Sequence, residues 1–371
     1  MPEALSALHD ILPRLAERDA RDPEAYPAEN VADLQAARIP AAPFPVELGG
    51  LGWDLRTAVL ATEAVATVSP STALLLVMPM GLAGVYSASP DVAPTAHRKS
   101  WLEQVDLVAA HYREGLVYAA CNSEKGAGGS LAATKTIATK GSDGLFRLTG
   151  EKILASSGRH AAYFFSTAKV TQEDLPGAGV VEFFFVPVGA EGVRILDDWD
   201  GFGMRSTESQ TVEYAAAPAE SMLGFPNFVE LFQPLQYWFC LFAAIPLGCA
   251  RAILQSLSNP EPQSPALRLR LSEAAMRYEA LQAYLLETAS NWRPGAGPSY
   301  AARVLRTKTY VSQEATKLAA ELFALSGGRS YRRGHPLARA LADSFAGTAL
   351  RPPLALGLET LMENFLPGGL D

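Results

Sequence analysis

The most informative stretch of this 371-residue sequence is Cys121-Asn122-Ser123-Glu124-Lys125-Gly126-Ala127-Gly128-Gly129-Ser130. Its three glycines free the backbone, so that main-chain N–H groups can approach a ligand closely and form an anion-binding nest. Asn122 and Ser123 add side chains that donate and accept hydrogen bonds. The pattern predicts either a ligand-binding loop or a glycine-rich hairpin loop.

A second polar segment follows the next β-type run along the chain. It reads Leu148-Thr149-Gly150-Glu151-Lys152-Ile153-Leu154-Ala155-Ser156-Ser157-Gly158-Arg159-His160. Its Ser-Ser-Gly turn offers hydroxyls and a free N–H to a planar polar ring, or simply closes a hairpin. His160, beside this turn, is a candidate proton donor or acceptor near neutral pH.

Outside these segments the spacing of apolar residues changes twice along the chain. It is helical from residue 5 to about 118, gives way to short β-type runs, and becomes helical again after Pro226. Strands are predicted at 117–121, 145–149, 163–170, 180–188, 193–199 and 211–214. This order predicts an α+β protein with an N-terminal helical domain at 1–116, a middle β-barrel or sandwich at 117–224 and a C-terminal four-helix bundle at 225–371.

The composition excludes several classes of function. The 31 Lys+Arg against 39 Asp+Glu give a formal charge of −8, and the basic residues are scattered, so no nucleic-acid partner is expected. Cys121, Cys240 and Cys249 form neither a disulfide framework nor a CxxC pair, which predicts a reducing compartment and no metal site. Because charges interrupt the leucines of the first 19 residues, no signal-peptide core is present there and a cytoplasmic location is expected.

Two windows without charged residues, 64–90 and 231–250, are long enough to cross a bilayer. Both contain proline and glycine, and such content is more typical of helices buried on all sides of a soluble bundle. We therefore expect no membrane partner. The sequence also lacks GxGxxG and GxxxxGK[ST], so neither a Rossmann site nor a P-loop is indicated.

Four segments, in order and spacing, resemble those of the acyl-CoA dehydrogenases. They are Pro45-Val46-Glu47-Leu48-Gly49-Gly50-Leu51-Gly52, the loop 123–128, the run 148–158, and Gly203-Met204-Arg205 through Ala219-Glu220-Ser221-Met222-Leu223-Gly224. The resemblance covers nearly the whole chain and implies an FAD-dependent oxidoreductase acting on an acyl-CoA or related substrate. It further implies that FAD lies between the β domain and the bundle of a homodimer or homotetramer.

The same resemblance assigns cofactor-binding residues. Asn122 and Ser123 would face the pyrimidine edge of the flavin, Gly128 would lie near the cofactor, and Leu154 and Ser156 would lie at the isoalloxazine ring. Leu154 stands where the family often has tryptophan, so ring stacking would be lost.

A glycine pair late in the chain, Gly327-Gly328, matches one that approaches the FAD of a neighbouring protomer in the family. The pair could also be a helix C-cap, and both roles can hold at once. The family's Arg-x-x-Phe-Gly segment has no counterpart between residues 256 and 268, which predicts reduced FAD affinity.

The catalytic glutamate of the family's dehydrogenases has no counterpart here, so the catalytic residues remain unknown. Its two usual places are occupied by Arg351 and Trp238, and neither side chain can act as a carboxylate base. Its absence is expected in the flavin monooxygenase branch, which acts on aromatic, thiophene or amino-sugar substrates. Three interpretations stay open: a dehydrogenase served by an electron-transfer flavoprotein, a monooxygenase served by a flavin reductase, and a non-catalytic relative.

The substrate pocket is expected at the start of the bundle. The bulky stripe of Tyr237, Trp238, Phe239 and Phe242 predicts either core packing or a cavity wall that favours a compact or aromatic substrate. The predicted pocket residues are Tyr237, Trp238, His160 and Arg351.

Overall fold

The computed structural model describes residues 3–172, 179–260 and 264–363. Its first part is helical, with α1 (Leu12–Arg21), α2 (Ala28–Ala36), α3 (Leu55–Val68), α4 (Pro70–Tyr86) and α5 (Arg98–Arg113). Helix α3 begins at Asp54, whose carboxylate accepts a hydrogen bond from the backbone N–H of Thr57 at 2.8 Å. The helical spacing seen in the sequence places Leu8 and Leu15 in the core, where both are fully buried.

The middle part is a curled sheet. Its strands are β1 (Tyr118–Cys121), β2 (Ile137–Lys140), β3 (Phe146–Ala155), β4 (Tyr163–Val170), β5 (Val181–Pro187), β6 (Val193–Ile195), β7 (Gln210–Ala219) and β8 (Ser221–Met222). They follow the order β6-β7-β3-β2-β4-β5-β8, with β1 paired to β4. Strands β1 and β2 run parallel to β4, while β4 and β5 are antiparallel.

Both faces of this sheet are covered, because successive side chains point to opposite sides. On β5, Phe183 and Phe185 belong to the core shared with the helices, whereas Phe184 points into a separate core inside the curl. On β4, Phe165 and Phe164 divide in the same way. The phenylalanine-rich runs therefore hold the sheet against the helical parts.

The last part is the predicted helical bundle. It comprises α6 (Phe228–Phe232), α7 (Leu235–Ser258), α8 (Pro265–Ser290), α9 (Pro298–Ala324), α10 (Pro336–Ser344), α11 (Ala346–Ala349) and α12 (Leu354–Glu363). Proline opens α8, α9 and α10 at a position where its missing N–H costs no helical hydrogen bond.

The two apolar windows form α4 and α7. Within the described part of the chain, α7 is the one helix long and apolar enough to span a membrane, and most of its apolar window is buried inside the fold. The two helices pack closely because glycine removes side chains between them: a Cβ at Gly81 would lie 2.1 Å from Trp238 Nε1, and one at Gly84 would lie 2.1 Å from Tyr237 Cζ. Helix α7 is thus a core helix.

A buried carboxylate connects the first helical domain to the bundle. Glu63 on α3 accepts a hydrogen bond from Gln282 Nε2 at 2.8 Å and forms an ion pair with Arg251 at 3.1 Å. The Tyr278 hydroxyl donates to the same carboxylate. Several charge-assisted bonds in one buried place fix the relative position of α3, α7 and α8.

Candidate functional site

A cavity of about 330 Å³ lies where the three parts of the chain meet. Its walls are mainly apolar and come from α4, the sheet, α7 and the segment 342–351. The larger side chains on these walls include Leu74, Met78, Phe165, Phe183, Trp238 and Phe242. A cavity of this size and character suits a flat, largely apolar ligand held by a few polar groups.

Polar groups line the cavity where β1 and β3 end. Asn122 Oδ1 accepts a hydrogen bond from the backbone N–H of Thr167 at 3.0 Å, which orients the amide and leaves its Nδ2 hydrogens to donate. Ser123 follows it, and the Ser156 and Ser209 hydroxyls lie 2.8 Å apart in the same lining. These amide and hydroxyl groups can both donate to and accept from the edge of a heterocycle.

Leu154 reaches the cavity because β3 bulges. The register between β3 and β7 shifts between Lys152 and Ala155, and Leu154 adopts a φ of 61° with about half of its surface exposed. The Ile153 N–H donates to the Ser123 carbonyl at 2.8 Å, which ties the bulge to the glycine-rich loop. A bulge of this kind re-aims a side chain towards a site.

A buried ion pair between Glu124 and Lys152 anchors the glycine-rich loop, of which Glu124 is a part. Lys152 Nζ donates to Glu124 Oε1 at 2.6 Å, and the backbone N–H groups of Lys135 and Thr136 donate to the same carboxylate. Burial acts to raise the pKa of Glu124, but the hydrogen bonds from Lys152 and Lys135 outweigh it and hold the pKa below its ordinary value. Sequence reasoning missed the pair, although lysine on the buried face of a strand signals a buried partner.

Arg351 enters the cavity from a turn that Lys308 holds in place. Lys308 is buried, and its Nζ donates to the carbonyls of Gly347 at 3.0 Å, Leu350 at 2.6 Å and Pro352 at 2.6 Å. Burial lowers the pKa of Lys308 to about 7, and the three carbonyls match the three donors of its ammonium form. From this turn, Arg351 Nη2 donates to the Asn122 carbonyl at 3.2 Å.

The cavity brings together several of the residues predicted from sequence. Those in its lining are Asn122, Ser123, Leu154, Ser156, Trp238 and Arg351. They lie at the ends of β1 and β3, on α7 and in the turn after α11, which are distant along the chain and adjacent in space.

The remaining predicted residues lie outside this lining. Tyr237 is buried against Gly84 and Trp292, because its place on α7 turns it away from Trp238. His160 stacks on Tyr26 with ring centroids 3.7 Å apart, and its Nε2 lies 3.2 Å from Glu208.

The glycines that the resemblance assigns to the cofactor also do not line the cavity. Gly128 has a φ of 57° and open space where a side chain would point, and Gly327 and Gly328, between α9 and α10, likewise have open space around them. Their predicted roles towards a cofactor therefore stay predictions.

Part of the cavity wall comes from residues that sequence reasoning did not identify. Phe202 is 77% exposed, and its ring meets that of Phe345 edge-on at 6.1 Å. The backbone N–H of Met204 donates to Asp343 Oδ1 at 2.6 Å, which joins this loop to α10. Phe202 also lines a neighbouring surface cleft of about 930 Å³. A local sequence pattern cannot predict this contact, because the loop after β6 and helix α10 are far apart along the chain.

Three family models match consecutive parts of the chain. Residues 7–106 match the acyl-CoA dehydrogenase N-terminal domain, 119–216 the middle domain and 240–350 the C-terminal domain. The chain belongs to the acyl-CoA dehydrogenase family. The resemblance inferred from four short segments is thereby confirmed, together with the α+β order of helices, curled sheet and helices.

Relatives of this family member include two kinds of enzyme. It is 23% identical over 335 residues to a probable acyl-CoA dehydrogenase, YngJ, of Bacillus subtilis, covering 86% of this chain and 84% of YngJ. It is 26% identical over 390 residues to L-evernosamine nitrososynthase of a Micromonospora species, covering 93% and 85%. Its fold superposes with a TM-score of 0.80 on TdsC from Paenibacillus sp. A11-2 with FMN and indole, at 22% identity and covering 98% of this chain and 97% of TdsC.

The charge of the lining limits what this acyl-CoA dehydrogenase family member can do in the cavity. Among the described residues, the lining includes no Asp, Glu or His, and its charged side chain is Arg351. A general base must lie within hydrogen-bond reach of the proton that it removes. The arrangement suits binding and orienting a flat, largely apolar ligand.

Proposed function

We propose that this chain is a flavin-dependent monooxygenase acting on a compact, largely apolar substrate. The observation that carries the proposal is the cavity itself, which has a hydrogen-bonding edge, aromatic walls and Arg351 in its lining. The sequence resemblance assigns Arg351 to the place of the family's glutamate. The likeness to L-evernosamine nitrososynthase and to TdsC, whose structure holds FMN and indole, supports it.

The side chains present fit a flavin. Asn122, Ser123 and Ser156 would hold the polar edge of an isoalloxazine, and Leu154 would lie against the ring. A bound reduced flavin supplies the electrons with which O₂ is activated. This chain's own residues would bind and orient the ring and the substrate, while Trp238 and Phe345 would keep water from the reacting atoms.

The proposed function needs a flavin, an electron donor or acceptor and a particular assembly. We expect FAD, with FMN as the alternative because TdsC holds FMN and because the Arg-x-x-Phe-Gly segment is absent. A flavin reductase would supply electrons to a monooxygenase, and an electron-transfer flavoprotein would accept them from a dehydrogenase. Gly327 and Gly328 would approach the cofactor of a second protomer, in a homodimer or homotetramer in the cytoplasm.

A spectroscopic experiment separates the three interpretations. The purified chain is titrated with FMN and with FAD, and the bound-flavin absorbance gives both affinities. With a flavin reductase, NADH and O₂, a monooxygenase supplied with compact aromatic compounds, both neutral (indole) and anionic (2-naphthoate), should convert at least one of them to an oxygenated product found by mass spectrometry. Anaerobic bleaching by butyryl-CoA would instead indicate an acyl-CoA dehydrogenase, and failure to bind either flavin would indicate a non-catalytic relative.

A matched pair of variants tests the polar edge of the cavity. Ser123→Leu removes a hydroxyl from the lining and adds apolar bulk, so we expect flavin affinity to fall by about tenfold or more. Ser142→Leu, in an exposed turn, should leave the affinity unchanged. Equal affinities for the two variants would contradict this placement of the flavin.

A further inference from the structure

The guanidinium of Arg351 is incompletely satisfied by the protein. Its Nη2 donates to the Asn122 carbonyl at 3.2 Å, whereas Nη1 is buried and has no hydrogen-bond partner among the described residues. Burial lowers the pKa of Arg351 to about 10, which still leaves the side chain charged at neutral pH. A partly buried cation without a counter-ion is costly unless a ligand compensates it.

Glu124, the carboxylate whose charge acts on Arg351, is already paired with other groups. Glu124 accepts hydrogen bonds from Lys152 Nζ at 2.6 Å and from the backbone N–H groups of Lys135 and Thr136. Glu124 and Lys152 together are neutral, so the positive charge of Arg351 is left over beside the cavity.

The turn that carries Arg351 is anchored by a second cation. Lys308 binds the carbonyls on both sides of Arg351, those of Leu350 and Pro352, each at 2.6 Å. Buried hydrogen bonds to a charged group resist displacement. The guanidinium is thereby held at a cavity wall whose lining also includes apolar side chains such as Phe165 and Trp238.

We propose that Arg351 binds a carboxylate of the substrate, and that the cavity therefore takes a compact aromatic or alicyclic carboxylate. The inference rests on the proposed function, which it narrows to a class of substrate. Aromatic walls would bury the ring, and the guanidinium would pair with the carboxylate through charge-assisted hydrogen bonds. Such a pair discriminates against a neutral analogue, because the analogue leaves the buried cation unpaired.

The test compares two probes of the same shape, 2-naphthoate and 2-naphthamide, without turnover. Each is titrated into the flavin-supplemented protein, and binding is measured by isothermal titration calorimetry. We expect the carboxylate to bind about 10- to 100-fold more tightly than the amide. Equal affinities, or tighter binding of the amide, would overturn the proposal in the unaltered protein.

Two substitutions assign the preference to the side chain. Arg351→Met should abolish the preference for 2-naphthoate, and Arg351→Lys, which keeps the charge without the planar fork, should retain part of it. Both variants are titrated with the probes at flavin concentrations that saturate them, and their flavin affinity is measured separately, because Arg351 also donates to the carbonyl of Asn122, one of the residues that would hold the flavin. A preserved carboxylate preference in Arg351→Met would overturn the proposal, as would a loss confined to flavin affinity.

The two proposals fail in different ways. Loss of all flavin binding or oxygenation in the unaltered chain would remove the monooxygenase function. The ratio of the affinities for 2-naphthoate and 2-naphthamide is a binding measurement that needs no turnover. It therefore tests the role of Arg351 even if the chain shows no oxygenation.

Discussion

Lys152 carries its charge into the interior of the sheet, where its side chain is completely buried. Glu124 and the Thr167 hydroxyl accept hydrogen bonds from it, so the cost of burying the ammonium is offset only by those partners. The pair lies directly behind Asn122 and Ser123. Its integrity therefore determines the position of the polar groups that the cavity presents.

Removing one member of the Glu124–Lys152 pair is expected to lower the free energy of unfolding much more than replacing both members. Lys152→Met leaves Glu124 buried without its counter-ion and should lower the free energy of unfolding by about 3–5 kcal/mol. Urea denaturation measures the change, and adding Glu124→Gln should restore part of the loss. Lys169→Met, at an exposed position of β4, should change the free energy by less than about 0.5 kcal/mol. Equal effects at Lys152 and Lys169 would contradict the structure of the pair.

Strand β3 contributes Leu154 to the cavity because its regular pairing with β7 is interrupted by a bulge. Its bulge turns Leu154 outwards at a positive φ, a conformation that costs a side chain with a Cβ about 1–2 kcal/mol. That strain is maintained by the pairing with β7 on one side and by the bond from Ile153 to Ser123 on the other. Irregular backbone of this kind concentrates at functional sites.

The strain predicts an unusual order of stabilities at position 154. Leu154→Gly and Leu154→Ala both remove the side chain, but glycine tolerates the positive φ, so the glycine variant should be more stable by about 1 kcal/mol. At Leu145, an exposed residue whose φ is ordinary, the order should reverse. Thermal unfolding of the four variants gives the comparison. A glycine variant less stable than the alanine variant at both positions would show that the bulge carries no strain.

At the same scale, sequence reasoning succeeded where the period of the pattern was clear. It predicted 163–170, which coincides with β4, and 180–188, which differs from β5 by one residue at each end. It missed β2, because Ile137, Thr139 and Lys140 are exposed and present no alternation of apolar residues. The polar cavity residues Asn122 and Ser156 were found from motifs, whereas Phe202 and Phe345 required knowledge of a loop and a helix meeting in space.

In the whole molecule, polar contacts at domain boundaries join the parts of the chain that form the cavity. Asp343 on α10 accepts the backbone N–H of Met204 from the loop after β6, and Arg339 of the same helix forms an ion pair with Asp19 at 3.1 Å. Burial raises the pKa of Asp343 from its ordinary value of 3.8 to about 7. The joint between the sheet and the bundle is therefore sensitive to pH.

The direction of that sensitivity follows from linkage. Asp343 binds a proton in the folded chain up to about pH 7 but ionises near 3.8 when unfolded, so its contribution to stability is full at low pH and is lost as the pH rises to about 7. Asp343→Asn keeps the oxygen that accepts from Met204 and cannot ionise. It should remove a decline of at most about 1.4 kcal/mol per pH unit over this range.

Urea denaturation of the protein and its variant across this pH range measures the difference. The exposed Asp106→Asn serves as the matched control and should leave the pH dependence unchanged. Parallel profiles for the original chain and Asp343→Asn would contradict a raised pKa at this joint.

The close packing of α4 on α7 constrains how related sequences can diverge. Any side chain at position 81 would enter the space of the Trp238 indole. Substitutions at positions 81 and 238 are therefore expected to be correlated. A combinatorial library randomised at both sites should return larger residues at 81 only alongside smaller ones at 238. Such exchanges would change the shape of the cavity at Trp238 and leave its polar edge unaltered. They are a route by which this fold can acquire selectivity for a different substrate.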